Sequence, residues 1–242
     1  MTDRMPIAEM LKIGIEASPP LSAILMKPAK ARACFVFAHG AGAGMSHPFM
    51  EQIATGLYDR GVATLRFQFP FMEKGSRRPD SPAIAQGAVR AAVAEARKRC
   101  RGLQLVAGGK SFGGRMASQA QAALPLDGVQ GLAFLGFPLH PSGKPAVVRA
   151  GHLAEVRIPM LFVQGTRDKL ADLTLLQSVT KKLGRRVRLH LIDQADHAFH
   201  VPVRSGRNDS DVVTDILGAF SRWIDRIVPH GASSPGRVPP LG

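Results

Sequence analysis

The chain has 242 residues, enough for one domain with a sizeable core, and its 45% hydrophobic share is ordinary for a globular protein. No apolar run reaches the roughly 18 residues that span a bilayer, and the first fifteen or so residues lack a signal-peptide core, so a cytoplasmic protein with no membrane partner is expected. The formal net charge of +14 is spread over clusters at Lys74 to Arg78, Arg97 to Arg101 and Lys181 to Arg188, and with only 6% aromatics to stack bases it reads as solvated charge, with no nucleic-acid partner.

Met10 to Ile15 and Leu21 to Met26, joined through Ser18-Pro19-Pro20, predict an opening hairpin. Cys34 to Ala38 is a continuous apolar run, hence a buried strand, and it ends in the glycine-rich turn His39 to Gly44. Ser46 is placed to cap a helix whose Phe49, Ile53 and Leu57 share one face. A strand at Val62 to Phe67 and an alanine-rich helix from Ser81-Pro82 to about Arg99 follow. Further buried strands are expected at Leu103 to Gly109, Gly131 to Phe137 and Met160 to Gly165, then a helix at Leu173 to Leu183 and a strand at Val187 to Ile192. A last helix, from about Ser210 to Val228, carries Ile216, Leu217, Phe220, Trp223 and Ile224 on one face, as a core helix does. Residues 1–228 thus predict a single domain and residues 229–242, rich in Pro, Gly and Ser, a disordered tail. Cys34 and Cys100 do not read as a disulfide framework. The alternation of strand and helix implies an α/β fold: a mostly parallel sheet with an N-terminal antiparallel hairpin and helices on both faces. The connections are short and leave no room for a large cap domain, although Pro138 to Pro159 could partly cover a site.

The strand at Leu103 runs into Gly109-Lys110-Ser111-Phe112-Gly113 and continues as a helix. A serine at a sharp strand-to-helix turn, with glycine two residues before and after, is a nucleophile elbow: the hydroxyl projects from the sheet, and a side chain at either glycine would strike the neighbouring strand or helix. The Gly-Lys-Ser within it also mimics a P-loop, but the required earlier glycine is Gln104. A dinucleotide reading of Gly40-Ala41-Gly42 fails likewise, because its third glycine is Met45.

A serine nucleophile needs an acid and then a histidine at later strand ends. Asp168 closes the strand at Met160, and His197 follows the strand at Val187, so the order is met. In those places His197 would serve as general base and Asp168 would orient it, with His200 and Asp193 as alternatives. Asp196 reads as a turn residue, and His190 and His152 as ordinary strand and surface residues. The oxyanion hole would use the N–H of Phe112 and that of Ala41 or Gly42. His39, His47 and Lys110 are candidate substrate-binding residues, and Lys74, Arg77, Arg78 and Lys110 could give the entrance a positive potential favouring acidic acyl groups. No metal or cofactor is called for.

Together, His39-Gly-Ala-Gly-Ala-Gly-Met-Ser-His-Pro-Phe-Met50, Leu65-Arg-Phe-Gln-Phe-Pro-Phe-Met72 and Gly108-Gly-Lys-Ser-Phe-Gly-Gly-Arg-Met-Ala-Ser118 resemble the α/β-hydrolase superfamily. Within it they are similar to the small lidless dienelactone-hydrolase-like branch, related to a testis-expressed hydrolase-like protein and a subunit of the non-specific-lethal histone acetyltransferase complex. The resemblance covers most of residues 30 to 228 and implies a hydrolase core with Ser111, Asp168 and His197 as triad. It implies no particular substrate. A serine hydrolase acting on a small ester or thioester is the first expectation; a silent binding or scaffolding protein on the same fold is the second. The oligomeric state stays open.

Overall fold

The apolar runs become the centre of a sheet. A computed structural model describes residues 7–15 and 18–228, and its eight strands are β1 Ala8–Ile15, β2 Ser18–Met26, β3 Ala33–Ala38, β4 Val62–Phe67, β5 Gln104–Lys110, β6 Val129–Leu135, β7 Met160–Gly165 and β8 Val187–Ile192. They lie in the order β1-β2-β4-β3-β5-β6-β7-β8. The pairings β1–β2 and β2–β4 are antiparallel and all others parallel, as the sequence predicts. Every residue of β3, β4 and β7 is buried, which is why these strands read as unbroken apolar runs: helices cover both faces. The two edge strands differ. β1 carries an exposed Lys12 and a register shift between Ile13 and Ile15, and β8, paired only with β7 among the described residues, carries an exposed Arg188 at its second residue.

The helices are α1 Pro48–Tyr58, α2 Pro70–Glu73, α3 Pro82–Arg99, α4 Phe112–Ala123, α5 Leu173–Leu183 and α6 Asp209–Ile227. Strand alternation sorts the core into two layers. Cys34, Val36 and Ala38 of β3 face α3, α4 and α5, whereas Ala33, Phe35 and Phe37 face α1 and α6. α3 lays Ala85, Ala88, Ala92 and Ala96 on the sheet side, small residues at helical spacing. α6 opens with a reciprocal capping box between Asn208 and Asp211.

Three expectations change in detail. α1 is capped by His47, whose Nδ1 accepts the Phe49 N–H at 3.2 Å, and not by Ser46. The sixth strand runs Val129–Leu135, leaving Gly136 and Phe137 in the loop beyond it. The connection 138–159 starts against the loop after β7, where His140 N–H donates to the Leu170 carbonyl at 3.0 Å, but none of its residues lines the crevice at the C-terminal ends of the strands, and its 3-10 segment Val148–Glu155 rests on α4, where His152 Nε2 meets Ser118 Oγ at 2.8 Å. Cys34 and Cys100 are buried free thiols. No helix among the described residues is long and apolar enough to cross a membrane. The segment 229–242 lies outside the described residues.

Because β3 neighbours β4 on one side and β5 on the other, the loops after β3 and β5 diverge and leave a crevice at the C-terminal ends of the strands. Open α/β sheets bind ligands at such a switch point.

Candidate active site

The elbow is fixed by backbone contact. A β-carbon on Gly109 would lie 2.2 Å from the Ala38 carbonyl oxygen, and one on Gly113 would lie 2.5 Å from the same atom. With both glycines in place, Ser111 takes φ 49° and ψ −115°, a left-handed conformation that a side chain disfavours, and its N–H is tied to the Leu135 carbonyl at 3.1 Å. The serine oxygen therefore stands clear of the sheet at the N-terminus of α4.

Two later strand ends deliver its neighbours. His197 Nε2 lies 2.8 Å from Ser111 Oγ, and His197 Nδ1 lies 2.7 Å from Asp168 Oδ2. The network sets the tautomer: Nδ1–H donates to the carboxylate and Nε2 accepts the serine hydroxyl. Asp168 also accepts from Gln164 Nε2 and, at 2.7 Å, from the Leu170 N–H. Its side chain is 0% exposed against 26% for His197, so the carboxylate is sealed while the imidazole reaches the cavity. The alternatives are engaged elsewhere. Asp193 accepts from Thr166 Oγ1 and His200 pairs with Asp209 at 2.6 Å; His190, read as an ordinary strand residue, pairs with Asp215 at 2.8 Å.

Across from Ser111, the loop 40–44 leaves the N–H groups of Ala41 and Gly42 without an acceptor among the described residues, and the same holds for Phe112 N–H. The loop is pinned from beneath by His39, which is not a wall of the cavity as expected but a fully buried bracket. Its Nδ1–H donates to the Gly40 carbonyl at 2.7 Å and its Nε2 accepts the Phe69 N–H at 3.0 Å, edge-on to the Phe69 ring. Burial lowers the pKa of His39 to about 4, so the ring is neutral.

The crevice encloses about 600 Å³ and is mainly apolar, with Ala41, Ala43, Pro48, Phe49, Leu170, Phe199 and Val213 in its walls. His47 and Lys110 also line it. Lys74, Arg77 and Arg78 do not, so of the expected basic entrance Lys110 alone lines the crevice, its ammonium donating to the His197 carbonyl. The aromatic walls carry no such signal in the sequence: Phe49 and Phe199 stack at 5.6 Å, nearly parallel at 8°. Phe49 reads as part of a helix face, and the only hint for Phe199 is its position two residues after His197. A hollow of similar size, about 610 Å³, lies between α5 and β8 over Lys181, Arg185 and Arg188, but it holds no paired acid and base. Convergent groups rather than volume mark the site.

Residues 31–225 match the alpha/beta hydrolase domain family. The chain belongs to this family. Among solved structures, this alpha/beta hydrolase is similar to a dienelactone hydrolase from Anabaena variabilis at 21% identity, covering 93% of this chain and 99% of that one, with a TM-score of 0.74. It is also similar to a lidless α/β serine hydrolase from Xanthomonas campestris, at 20% identity, 93% and 96% coverage and a TM-score of 0.71. The esterase domain of a Rhodothermus marinus protein matches at 18% identity, 92% and 100% coverage and a TM-score of 0.71. At such identities the likeness speaks to the fold, which the alpha/beta hydrolase described here shares in its lidless form.

Proposed function

We propose that this alpha/beta hydrolase is a serine hydrolase that cleaves an ester or thioester of an uncharged, apolar acyl group through an acyl-enzyme. The observation that carries the reading is the hydrogen-bonded chain from Ser111 through His197 to Asp168, at 2.8 and 2.7 Å. Ser111 Oγ attacks the carbonyl carbon as its proton passes to His197 Nε2. The carbonyl oxygen becomes an oxyanion, and Phe112 N–H with that of Ala41 or Gly42 receives it, each such donor contributing roughly 3 kcal/mol in the transition state. Asp168 holds the Nδ1–H and steadies the imidazolium. His197 then protonates the departing alcohol or thiol, and a water activated by the same imidazole releases the acid and restores Ser111. The apolar walls supply the acyl preference: each methylene moved from water into the cavity favours binding by about 0.8 kcal/mol.

A fluorophosphonate probe and a series of p-nitrophenyl esters test this together. Labelling and turnover are expected in the native chain, with kcat/KM rising up to roughly fourfold per added methylene until the cavity fills. Ser111→Ala should abolish labelling and lower kcat by more than about 10⁴-fold. Labelling that survives in Ser111→Ala would refute the nucleophile, and a native chain that neither labels nor turns over any ester would favour a silent binding protein instead.

A further inference from the structure

The lysine inside the elbow motif has no part in the proton chain, yet the structure surrounds it with the catalytic turn. Lys110 is the last residue of β5, immediately before Ser111. Its Nζ donates to the backbone carbonyl of His197 and lies 5.0 Å from the Phe199 ring centroid and 5.9 Å from that of Phe49. A β-carbon on Gly136 would come 3.0 Å from Nζ and 3.5 Å from the His197 ring, so lysine and imidazole border the same turn.

The turn that Lys110 grips is under tension. Phe199 has φ 71°, a left-handed conformation unusual for an aromatic residue. Asp196 folds the turn from within, accepting the N–H groups of Ala198 at 2.8 Å and His200 at 3.0 Å. Those bonds shape the turn but do not tie it to the nucleophile, whose strand lies three places away across the sheet. Lys110 makes that tie directly, through the carbonyl of the residue that supplies the imidazole and through the ring of the strained residue two positions on.

We propose that Lys110 is a positioning residue whose ammonium clamps the His197 turn against the strand bearing Ser111, keeping Nε2 on the serine hydroxyl. The inference rests on the serine-hydrolase reading. The charge matters to the clamp, because attraction to the two ring faces requires a cation. Lys110 faces Asp168 from the loop after β7 and Asp196 and His197 from the loop after β8; α1 brings the Phe49 ring, Gly136 is uncharged, and His47 and His200 line the same cavity. Burial lowers its pKa to about 8, with Asp168 and Asp196 pulling it back up. The clamp is therefore complete below about pH 8 and weakens as pH rises through that value.

The test is the pH dependence of kcat/KM and of fluorophosphonate labelling in the native chain, Lys110→Met and Lys110→Arg. In the native chain both rates should fall above about pH 8. Lys110→Met should still label on Ser111, but with kcat and labelling rate roughly 10- to 100-fold lower, little change in KM, and no fall near pH 8. Lys110→Arg should recover most of the rate and move the fall beyond pH 10. If the native chain is active and Lys110→Met keeps its rate, or if the fall near pH 8 persists in either variant, the clamp is wrong while the serine-hydrolase reading stands. If Lys110→Met does not fold, Lys110→Arg decides alone by its alkaline limb. A native chain that neither labels nor hydrolyses removes both proposals.

Discussion

A neutral imidazole supports the glycine-rich loop, and its neutrality has a measurable cost. An unfolded histidine takes up a proton near pH 6.5, whereas His39, fully buried with both nitrogens engaged, does so only near pH 4. Acid therefore favours the unfolded chain: the stability tied to this group is complete above about pH 6.5 and drains away as pH falls toward 4. His152, lowered to about 4 by burial and by Arg115, acts with the same sign. Unfolding free energies from urea melts at pH 7.5 and pH 5 should differ, and His39→Gln should narrow the gap by up to about 2 kcal/mol; an unchanged gap would mean that His39 carries no such load. The sequence could place His39 at a strand end but could not say which way it turns, because one residue of register separates cavity from core. The meeting of Ser111, Asp168 and His197 was legible because the chemistry proposed for them demands an order along the chain, which the sequence displays without any knowledge of direction.

At the level of elements, the elbow's glycines and an ordinary helical glycine make opposite predictions. Gly113→Ala would drive a β-carbon into the Ala38 and His39 carbonyls, at 2.5 and 2.6 Å, and should abolish folding or labelling. Gly87, in α3, has nothing within 4 Å of its would-be β-carbon, so Gly87→Ala should raise stability by roughly 0.5–1 kcal/mol, chiefly through the unfolded chain. Thermal melts of the two variants would separate these outcomes. β7, α5 and β8 begin and end where apolar periodicity places them. α2 was invisible because four residues are too few to show a period. The cap of α1 was misread for a different reason: Pro48 occupies the first helical position, which makes residue 47 the cap and leaves Ser46 outside.

For the whole molecule, 32 basic against 18 acidic residues give a surface that repels itself. Some cations are paired, as Arg99 is with Glu95 and Glu9, both at 2.8 Å, but the imbalance is too large for pairing to remove. Screening should relieve this repulsion, so the urea midpoint should rise between about 0.01 and 0.2 M salt; a midpoint that falls would show the surface pairs to outweigh the excess charge. The overall architecture was legible because buried parallel strands leave unbroken apolar runs. The cavity walls were not, since Phe49 and Phe199 meet only after the chain has folded.

The two ends of the sheet carry a consequence for how such a chain survives its own concentration. An unpaired strand edge is a template on which another molecule can crystallise its backbone, one copy after the next. Lys12 and the register slip guard one margin, and Arg188 the other, so that any incoming strand would have to bury a charge or accept a kink. Among the described residues, each margin of the sheet thus carries a feature that disfavours such growth.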